Sequence, residues 1–287
     1  MESKTITYQS STIFYRTIGK GQPVVLIHGF AEDGDIWKNQ IEFLSAGSGG
    51  KEHCHLIIPD LPGSGRSDLI DDMSMEGMTE IIKEILILEL QKFPLLEHPD
   101  PFGKGAEGVR ACLLGHSMGG YISLAFAEKY PDLLSSFALV HSSAFADNEE
   151  KKANRLKSIE FVKKNGAYEF LKAAITGLFT ETWASNNREI VESQVEKSRS
   201  FTDEAIIQYY RAMINRPDRT AVLKNFGKPI LFIIGEHDNA VPFPQSMQQC
   251  YLPGESHIHI LRNSAHMGML EEPGKLNQAL LHFINTI

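Results

Sequence analysis

The feature that most constrains this chain is the pentapeptide Gly115-His116-Ser117-Met118-Gly119, placed where an apolar strand gives way to a helix. Ala111-Cys112-Leu113-Leu114 is a short apolar run of the kind that fills a central parallel strand. Tyr121-Ile122-Ser123-Leu124-Ala125-Phe126-Ala127 reads as a helix, with Pro131 beyond its end. A serine at that junction is forced into a sharp, strained turn that lifts its hydroxyl above the sheet. Small residues two positions to either side keep strand and helix from colliding with it. Nothing else in the sequence marks a serine as a nucleophile.

A bare Gly-x-Ser-x-Gly also occurs by chance. It gains chemical weight when an acid follows a later strand and a histidine follows the last one. Pro229-Ile230-Leu231-Phe232-Ile233-Ile234 is an apolar strand running into Gly235-Glu236-His237-Asp238-Asn239-Ala240-Val241-Pro242. His257-Ile258-His259-Ile260-Leu261 alternates like a strand and leads to Asn263-Ser264-Ala265-His266-Met267-Gly268. Ser117, Asp238 and His266 thus stand in the chain order that the motif demands.

With Val25-Leu26-Ile27-His28-Gly29-Phe30 and Pro59-Asp60-Leu61-Pro62-Gly63-Ser64-Gly65-Arg66-Ser67, these segments resemble the α/β-hydrolase superfamily along the whole chain except a middle insert. Ala265 stands where the family often has glycine. The resemblance implies Ser117 as nucleophile, His266 as base and Asp238 as the group that orients the imidazole. Glu236 competes for the last role, but Asp238 fits the family position better, ahead of Val241-Pro242. Some relatives carry the acid after the sixth strand; here that stretch is His141-Ser142-Ser143-Ala144, without a carboxylate. An oxyanion needs donors placed in advance. One is the backbone N–H of Met118, at the start of the helix after the serine; the other, by resemblance, is the N–H of Phe30.

Apolar strand-like runs at Val24–Ile27, Leu56–Ile58, Ala111–Leu114, Phe137–Val140, Ile230–Ile234 and Ile258–Leu261 alternate with amphipathic helical patterns. One helix presents Met78, Ile81, Ile82 and Ile85, another Leu276, Leu280, Phe283 and Ile284. This predicts an α/β fold with a mostly parallel central sheet covered on both faces. Thr5–Tyr8 and Thr12–Arg16 read as a hairpin around Gln9-Ser10-Ser11. Residues 145–216 contain helical patterns without a convincing strand, including a helix capped by Thr202 with Ile206, Tyr209, Tyr210 and Met213 on its apolar face. They resemble an inserted all-helical cap, leaving 1–144 and 217–287 as the core. Residues 47–50 and 99–108 read as surface loops.

The pocket candidates are Trp37, Tyr121, Phe145, Phe179, Trp183, Val241 and Met267, each with an alternative role in simple packing. His28 and His116 neighbour the site but read as structural. His53 with His55, and His257 with His259, have strand spacing; a metal would need further ligands that the sequence does not supply, so no metal site is assigned. Asp60, Gly63, Gly65 and Arg66 superficially suggest a phosphate loop, yet lack its Gly-Lys-Ser/Thr ending and read as a structural turn.

A net charge of −8, from 28 basic and 36 acidic residues, argues against nucleic acid as a partner. The start, Met1-Glu2-Ser3-Lys4-Thr5, lacks the apolar run of a signal peptide. Lys83, Glu84 and Glu89 interrupt the apolar stretch Ile81–Leu90, so no membrane span is expected. Cys54, Cys112 and Cys250, an odd number without close pairing, read as buried thiols in a reducing cytosol.

The resemblance implies a serine hydrolase acting on a small or medium carboxylic ester through an acyl-enzyme, without a cofactor. A thioesterase, a carbon–carbon bond hydrolase and a lyase are able to use the same three residues. A hydrolase-like ligand sensor with a protein partner is the alternative of another class.

Overall fold

The computed structural model describes residues 1–46, 54–92 and 109–287. The loops expected at 47–50 and 99–108, and His53, lie outside the described residues. Strands β1 (Glu2–Tyr8) and β2 (Ser11–Ile18) form an antiparallel hairpin in which Tyr8 faces Ser11. Its loop is therefore only Gln9-Ser10, with Gln9 at φ 54°. β3 (Gln22–Ile27), α1 (Lys38–Ala46), β4 (Cys54–Pro59), α2 (Met75–Leu90), β5 (Ala111–His116), α3 (Met118–Lys129) and β6 (Leu134–Val140) follow. The chain then makes an all-helical excursion through α4 (Glu149–Asn165), α5 (Ala167–Thr176), α6 (Glu181–Asn186), α7 (Arg188–Lys197) and α8 (Asp203–Asn215). It closes with α9 (Thr220–Asn225), β7 (Ile230–Gly235), α10 (Phe243–Gln249), β8 (Ser256–Leu261), α11 (Gly268–Glu271) and α12 (Pro273–Ile284).

The eight strands form one sheet in the order β1-β2-β4-β3-β5-β6-β7-β8, antiparallel at β1-β2 and β2-β4 and parallel elsewhere. The apolar runs need burial on both faces, so they take the centre: β5 and β7 are buried along their whole length. β1, at the edge, alternates exposed and half-buried residues instead. Right-handed crossovers send β3–α1–β4 toward one edge and β5–α3–β6 toward the other, so α1 and α3 cover opposite faces. α1 packs with α12, and α2 with α3. Ser74 Oγ caps α2 by accepting from the Gly77 N–H, and Met78, Ile81, Ile82 and Ile85 below it are buried. Leu276, Leu280, Phe283 and Ile284 bury the inner face of α12.

Chain order reverses between β3 and β5, with Ile27 beside Gly115 in register. In an open sheet such a reversal leaves a crevice outside the strands' carboxyl ends. The residues that follow β3 and β5 border it, and those that follow β7 and β8 lie farther along the same edge.

The helical excursion is stitched to the core at its base, where the Arg219 N–H donates to the Ala144 carbonyl at 2.7 Å and Arg216 to the Phe145 carbonyl at 3.0 Å. Thr202 caps α8, whose Ile206, Tyr209, Tyr210 and Met213 are buried. The Tyr209 hydroxyl reaches across to the Pro62 carbonyl and to Ser64 Oγ, at 2.6 and 2.8 Å. It thereby docks α8 on the turn after β4. Within that turn Asp60 accepts from the N–H groups of Gly34 and Arg66, and a side chain at Gly65 would strike its carboxylate. Cys54, Cys112 and Cys250 are free and buried, and burial pushes their thiols up to about 11, 12 and 11. Among the described residues no helix is long and apolar enough to cross a membrane.

Candidate active site

β5 passes into α3 with a single residue between them. Ser117 absorbs the whole reversal, at φ 49° and ψ −113°. A non-glycine residue there costs on the order of 1–3 kcal/mol, so the surroundings must hold it. The Ser117 N–H donates to the Val140 carbonyl at 2.9 Å, and its own carbonyl accepts from the Gly120 N–H at 3.0 Å and Ser142 Oγ at 2.7 Å. The flanking glycines leave no alternative. A Cβ on Gly115 would lie 2.4 Å from the Gly119 carbonyl oxygen, and one on Gly119 would lie 2.3 Å from that of Ile27. Met118, as the first residue of α3, carries an N–H with no partner one turn earlier, and α3 has no side-chain cap. Across the crevice the backbone after β3 comes close enough that a Cβ on Gly29 would lie 3.2 Å from Ser117 Cβ. Phe30 follows, and Ala31 holds a positive φ of 56°.

Asp238 follows β7 and His266 follows β8, and both are buried. His266 Nδ1 donates to Asp238 Oδ2 at 2.8 Å, while Oδ1 accepts from the N–H groups of Ala240 and Val241, both at 2.9 Å. A second imidazole shares Oδ2: His141, just after β6, approaches with Nδ1 at 3.3 Å. Burial acts to raise the Asp238 pKa, but His266 and His141 override it and drive it far below the ordinary aspartate range. Burial pulls the His266 pKa down, and Asp238 overrides that and holds it above the ordinary histidine value. His141, deeper and with Nε2 unpartnered, is left to burial, which pushes it down to about 4. With Nδ1 committed to Asp238, His266 has Nε2 as its free basic nitrogen.

The loop bearing His266 is fastened twice. Its own N–H donates to the Leu178 carbonyl at 2.9 Å, and Glu271 accepts from the N–H groups of Ala265 and Thr180, at 2.9 and 2.8 Å. Burial raises the Glu271 pKa despite those bonds. On the other flank, His116 Nε2 faces the His266 carbonyl at 3.0 Å and Nδ1 faces Glu32 at 2.9 Å. Both partners present oxygens to the ring, which is thereby held between the His266 loop and Glu32. Burial opposes ionisation of Glu32, and the charge and bond of His116 outweigh it and hold its pKa below the ordinary range. The same carboxylate accepts from the Gly29 N–H at 2.6 Å, bracing the strand that leads to Phe30. His28 is spent within the core, accepting from the Leu61 N–H on Nε2 at 2.8 Å and facing the Gly29 carbonyl with Nδ1.

The model of the alpha/beta hydrolase family matches residues 24–279. The chain belongs to that family. A thermophilic esterase from Thermogutta terrifontis superposes with a TM-score of 0.85 and 26% identity, covering 100% of this chain and 99% of that one. The pimeloyl-[acyl-carrier protein] methyl ester esterase of Citrobacter koseri is 25% identical over 276 residues, 94% of this chain and 96% of that protein. A proposed carbamate hydrolase of Agrobacterium fabrum is 24% identical over 273 residues, 94% and 95% of the two chains.

In this α/β hydrolase Ser117 and His266 line one cavity of about 180 Å³. Phe30, Tyr121 and Val241 are also in its wall. Met267 lines a narrower space beside it that shares Phe30, Ala31 and Glu32. The other four aromatic candidates stand outside the lining. Trp37 is fully buried and perpendicular to the His116 ring, Phe179 stacks on Trp183 at 5.2 Å, and Phe145 offers its carbonyl to Arg216. A roomier cleft of about 860 Å³ lies among α5, α6 and α7, but it includes none of Ser117, Asp238 and His266.

Sequence reasoning missed three residues of the hydrolase's site. His141 stands where only a carboxylate was sought, Glu32 had no motif of its own, and Arg155 sits on a helix so charged that it reads as a solvated face. His141, Asp238 and His266 form the one grouping, among the described residues, whose atoms lie close enough to hold a metal ion. Each histidine turns Nδ1 to the carboxylate at hydrogen-bond length, so those two nitrogens are engaged with Asp238. His257 packs on Phe283 and bonds Glu255, and His55 bonds the Gly19 carbonyl and Glu89.

Proposed function

We propose that this chain is a serine hydrolase that cleaves a small carboxylic ester through an acyl-enzyme. The observation that carries the reading is the shared cavity: Ser117, on its strained turn, and His266, 2.8 Å from Asp238, line the same space. Ser117 Oγ attacks the carbonyl carbon as His266 Nε2 takes its proton. The N–H groups of Met118 and Phe30 stabilise the oxyanion, and His266 returns the proton to the departing alkoxide. Water, activated by the same imidazole, then releases the acid. Residues 145–216 act as a cap over the site, and the unpaired thiols suit a cytosolic setting.

Cavity volume supports the small-ester form. An apolar cavity of about 150 Å³ accommodates a single benzene, so about 180 Å³ takes a short acyl chain and excludes a long fatty one. Fluorophosphonate labelling followed by peptide mapping, with Ser117→Ala as control, tests the nucleophile. Labelling confined to Ser117 is expected; a folded protein left unlabelled overturns the hydrolase reading and favours a ligand sensor. Matched oxygen-ester, thioester and vinylogous diketone substrates then separate the bond types, and turnover of the diketone alone refutes the ester.

A further inference from the structure

The wall of the cavity opposite in chemistry to its apolar lining is Arg155, from α4. Leu171, Ala174 and Ile175 from α5, Leu178 from the link after it, and Tyr210 and Met213 from α8 line the cavity on this side. Arg155 lies among them with its side chain only 21% exposed. Its Nε donates to Asp147, which is 1% exposed and is itself shared, its second oxygen facing Arg216 Nη1 at 2.9 Å. Two guanidinium groups therefore meet one carboxylate, and this largely buried trio keeps one positive charge in excess.

The excess falls on the guanidinium that is less fully engaged. Arg216 donates to the carbonyls of Met213 and Phe145, at 2.8 and 3.0 Å, and lies 3.9 Å over the Tyr121 ring. It is not in the cavity wall. Arg155, besides its bond to Asp147, has Tyr121 and the Tyr210 ring near it, the latter at 5.7 Å, and among the described residues its Nη atoms make no hydrogen bond. The other ionised group in the wall, Glu32, is tied to His116 and the Gly29 N–H. A planar fork with unspent donors, sheltered in apolar surroundings, matches a carboxylate and discriminates strongly against neutral analogues.

We infer that the substrate carries a carboxylate, bound by Arg155, within the length of the cavity from the scissile carbonyl. This deepens the serine-hydrolase reading of the same site and rests on it. A half-ester of a short dicarboxylic acid satisfies both the charge and the volume, and so does a short ester of a hydroxy acid. The bond cleaved and the groups exchanged are those of ordinary ester hydrolysis; Arg155 only binds.

The test compares monoethyl glutarate and carboxymethyl butyrate with their neutral carboxamide counterparts, followed by pH-stat in wild type, Arg155→Met and Arg155→Lys. Calorimetric titration of wild type and both variants with glutarate and glutaramide runs alongside. Wild type is expected to prefer at least one carboxylate over its carboxamide by about 10- to 100-fold in kcat/KM. That ratio should collapse toward one in Arg155→Met and fall partway in Arg155→Lys, with glutarate binding lost in parallel. Equal turnover of both members of each pair in wild type, with no glutarate binding, overturns the inference while leaving the hydrolase reading intact. Arg155-dependent glutarate binding without turnover of any ester does the reverse. Should Arg155→Met fail to fold, an undiminished preference in Arg155→Lys, insensitive to salt, refutes the role of the guanidinium.

Discussion

Asp238→Asn isolates one function of the proposed triad, because the structure dictates how asparagine must sit. Four donors converge on the carboxylate: the Ala240 and Val241 N–H groups on one oxygen, and the two histidine Nδ1 atoms on the other. Backbone amides cannot exchange their proton for a lone pair, so the asparagine oxygen stays with them and its NH₂ turns to the histidines. His266 must then accept on Nδ1 and carry its proton on Nε2, the wrong nitrogen for taking a proton from Ser117. Inverting the tautomer with the geometry otherwise kept lowers kcat by about 10⁴ in a serine triad, or about 5.4 kcal/mol at about 1.36 kcal/mol per decade. Asp238 is outside the cavity wall, so KM should stay within roughly threefold, as expected for a group acting on the transition state alone. The assay is steady-state hydrolysis of 4-nitrophenyl butyrate from pH 6 to 9, with near-ultraviolet circular dichroism to verify the fold. Removing the charge that raises the His266 pKa should also move the acid limb of kcat/KM to lower pH. A loss below tenfold in kcat, or one expressed in KM, refutes the assignment of Asp238.

Gly119→Ala should lower the melting temperature by several degrees and reduce fluorophosphonate labelling, since its Cβ would press on the carbonyls of Ile27 and His28 at 2.3 and 2.7 Å. His141 is neutral in the fold down to about pH 4, whereas in the unfolded chain it takes a proton near 6.5. Stability therefore declines as pH falls through that window, and thermal melts of His141→Asn, which keeps a donor for Asp238, should show a shallower decline. Glu89 is fully buried among Lys4, Tyr15, His55 and Lys92; burial acts to raise its pKa, but Lys92, Tyr15 and Lys4 depress it to about 2. Glu89→Gln should cost on the order of 1.5–3 kcal/mol in urea unfolding at pH 7, a deficit that shrinks as pH falls from the ordinary glutamate value toward 2. In a series of 4-nitrophenyl esters kcat/KM should peak at short acyl chains and fall beyond about eight carbons; undiminished turnover of laurate would contradict the cavity volume.

The central sheet was legible because its strands, buried on both faces, appear as unbroken apolar runs such as Leu231–Ile234 and Phe137–Val140. The serine turn was legible because only glycine fits at 115 and 119. Periodicity alone does not say how a helix is rotated against the site. Phe145, Phe179 and Trp183 were named as pocket candidates for being aromatic, but they stand outside the lining, which this stretch supplies through Arg155, Leu171, Ile175, Leu178, Tyr210 and Met213. Arg155 was hidden for a related reason. A cation within Lys151-Lys152-Ala153-Asn154-Arg155 looks like solvated surface until Asp147 is found to anchor it. His141 shows a third limit, since the value of a residue at the end of β6 depends on a carboxylate delivered by β7.

Under the proposed mechanism, the bond from the His266 amide to the Leu178 carbonyl gives the helical excursion a say in the chemistry that its sequence does not reveal. Leu178 belongs to the link between α5 and α6, and Thr180, two residues on, is held by the same Glu271 that supports Ala265. Exchange of this segment between relatives, whether by recombination or by engineering, is therefore not a free choice of pocket. A transplanted segment that fills the space but offers no carbonyl at this point would leave the imidazole loop without its clasp, and the chimera would bind its new ligand yet turn it over slowly. The compatible donors are those that bring the acceptor with them.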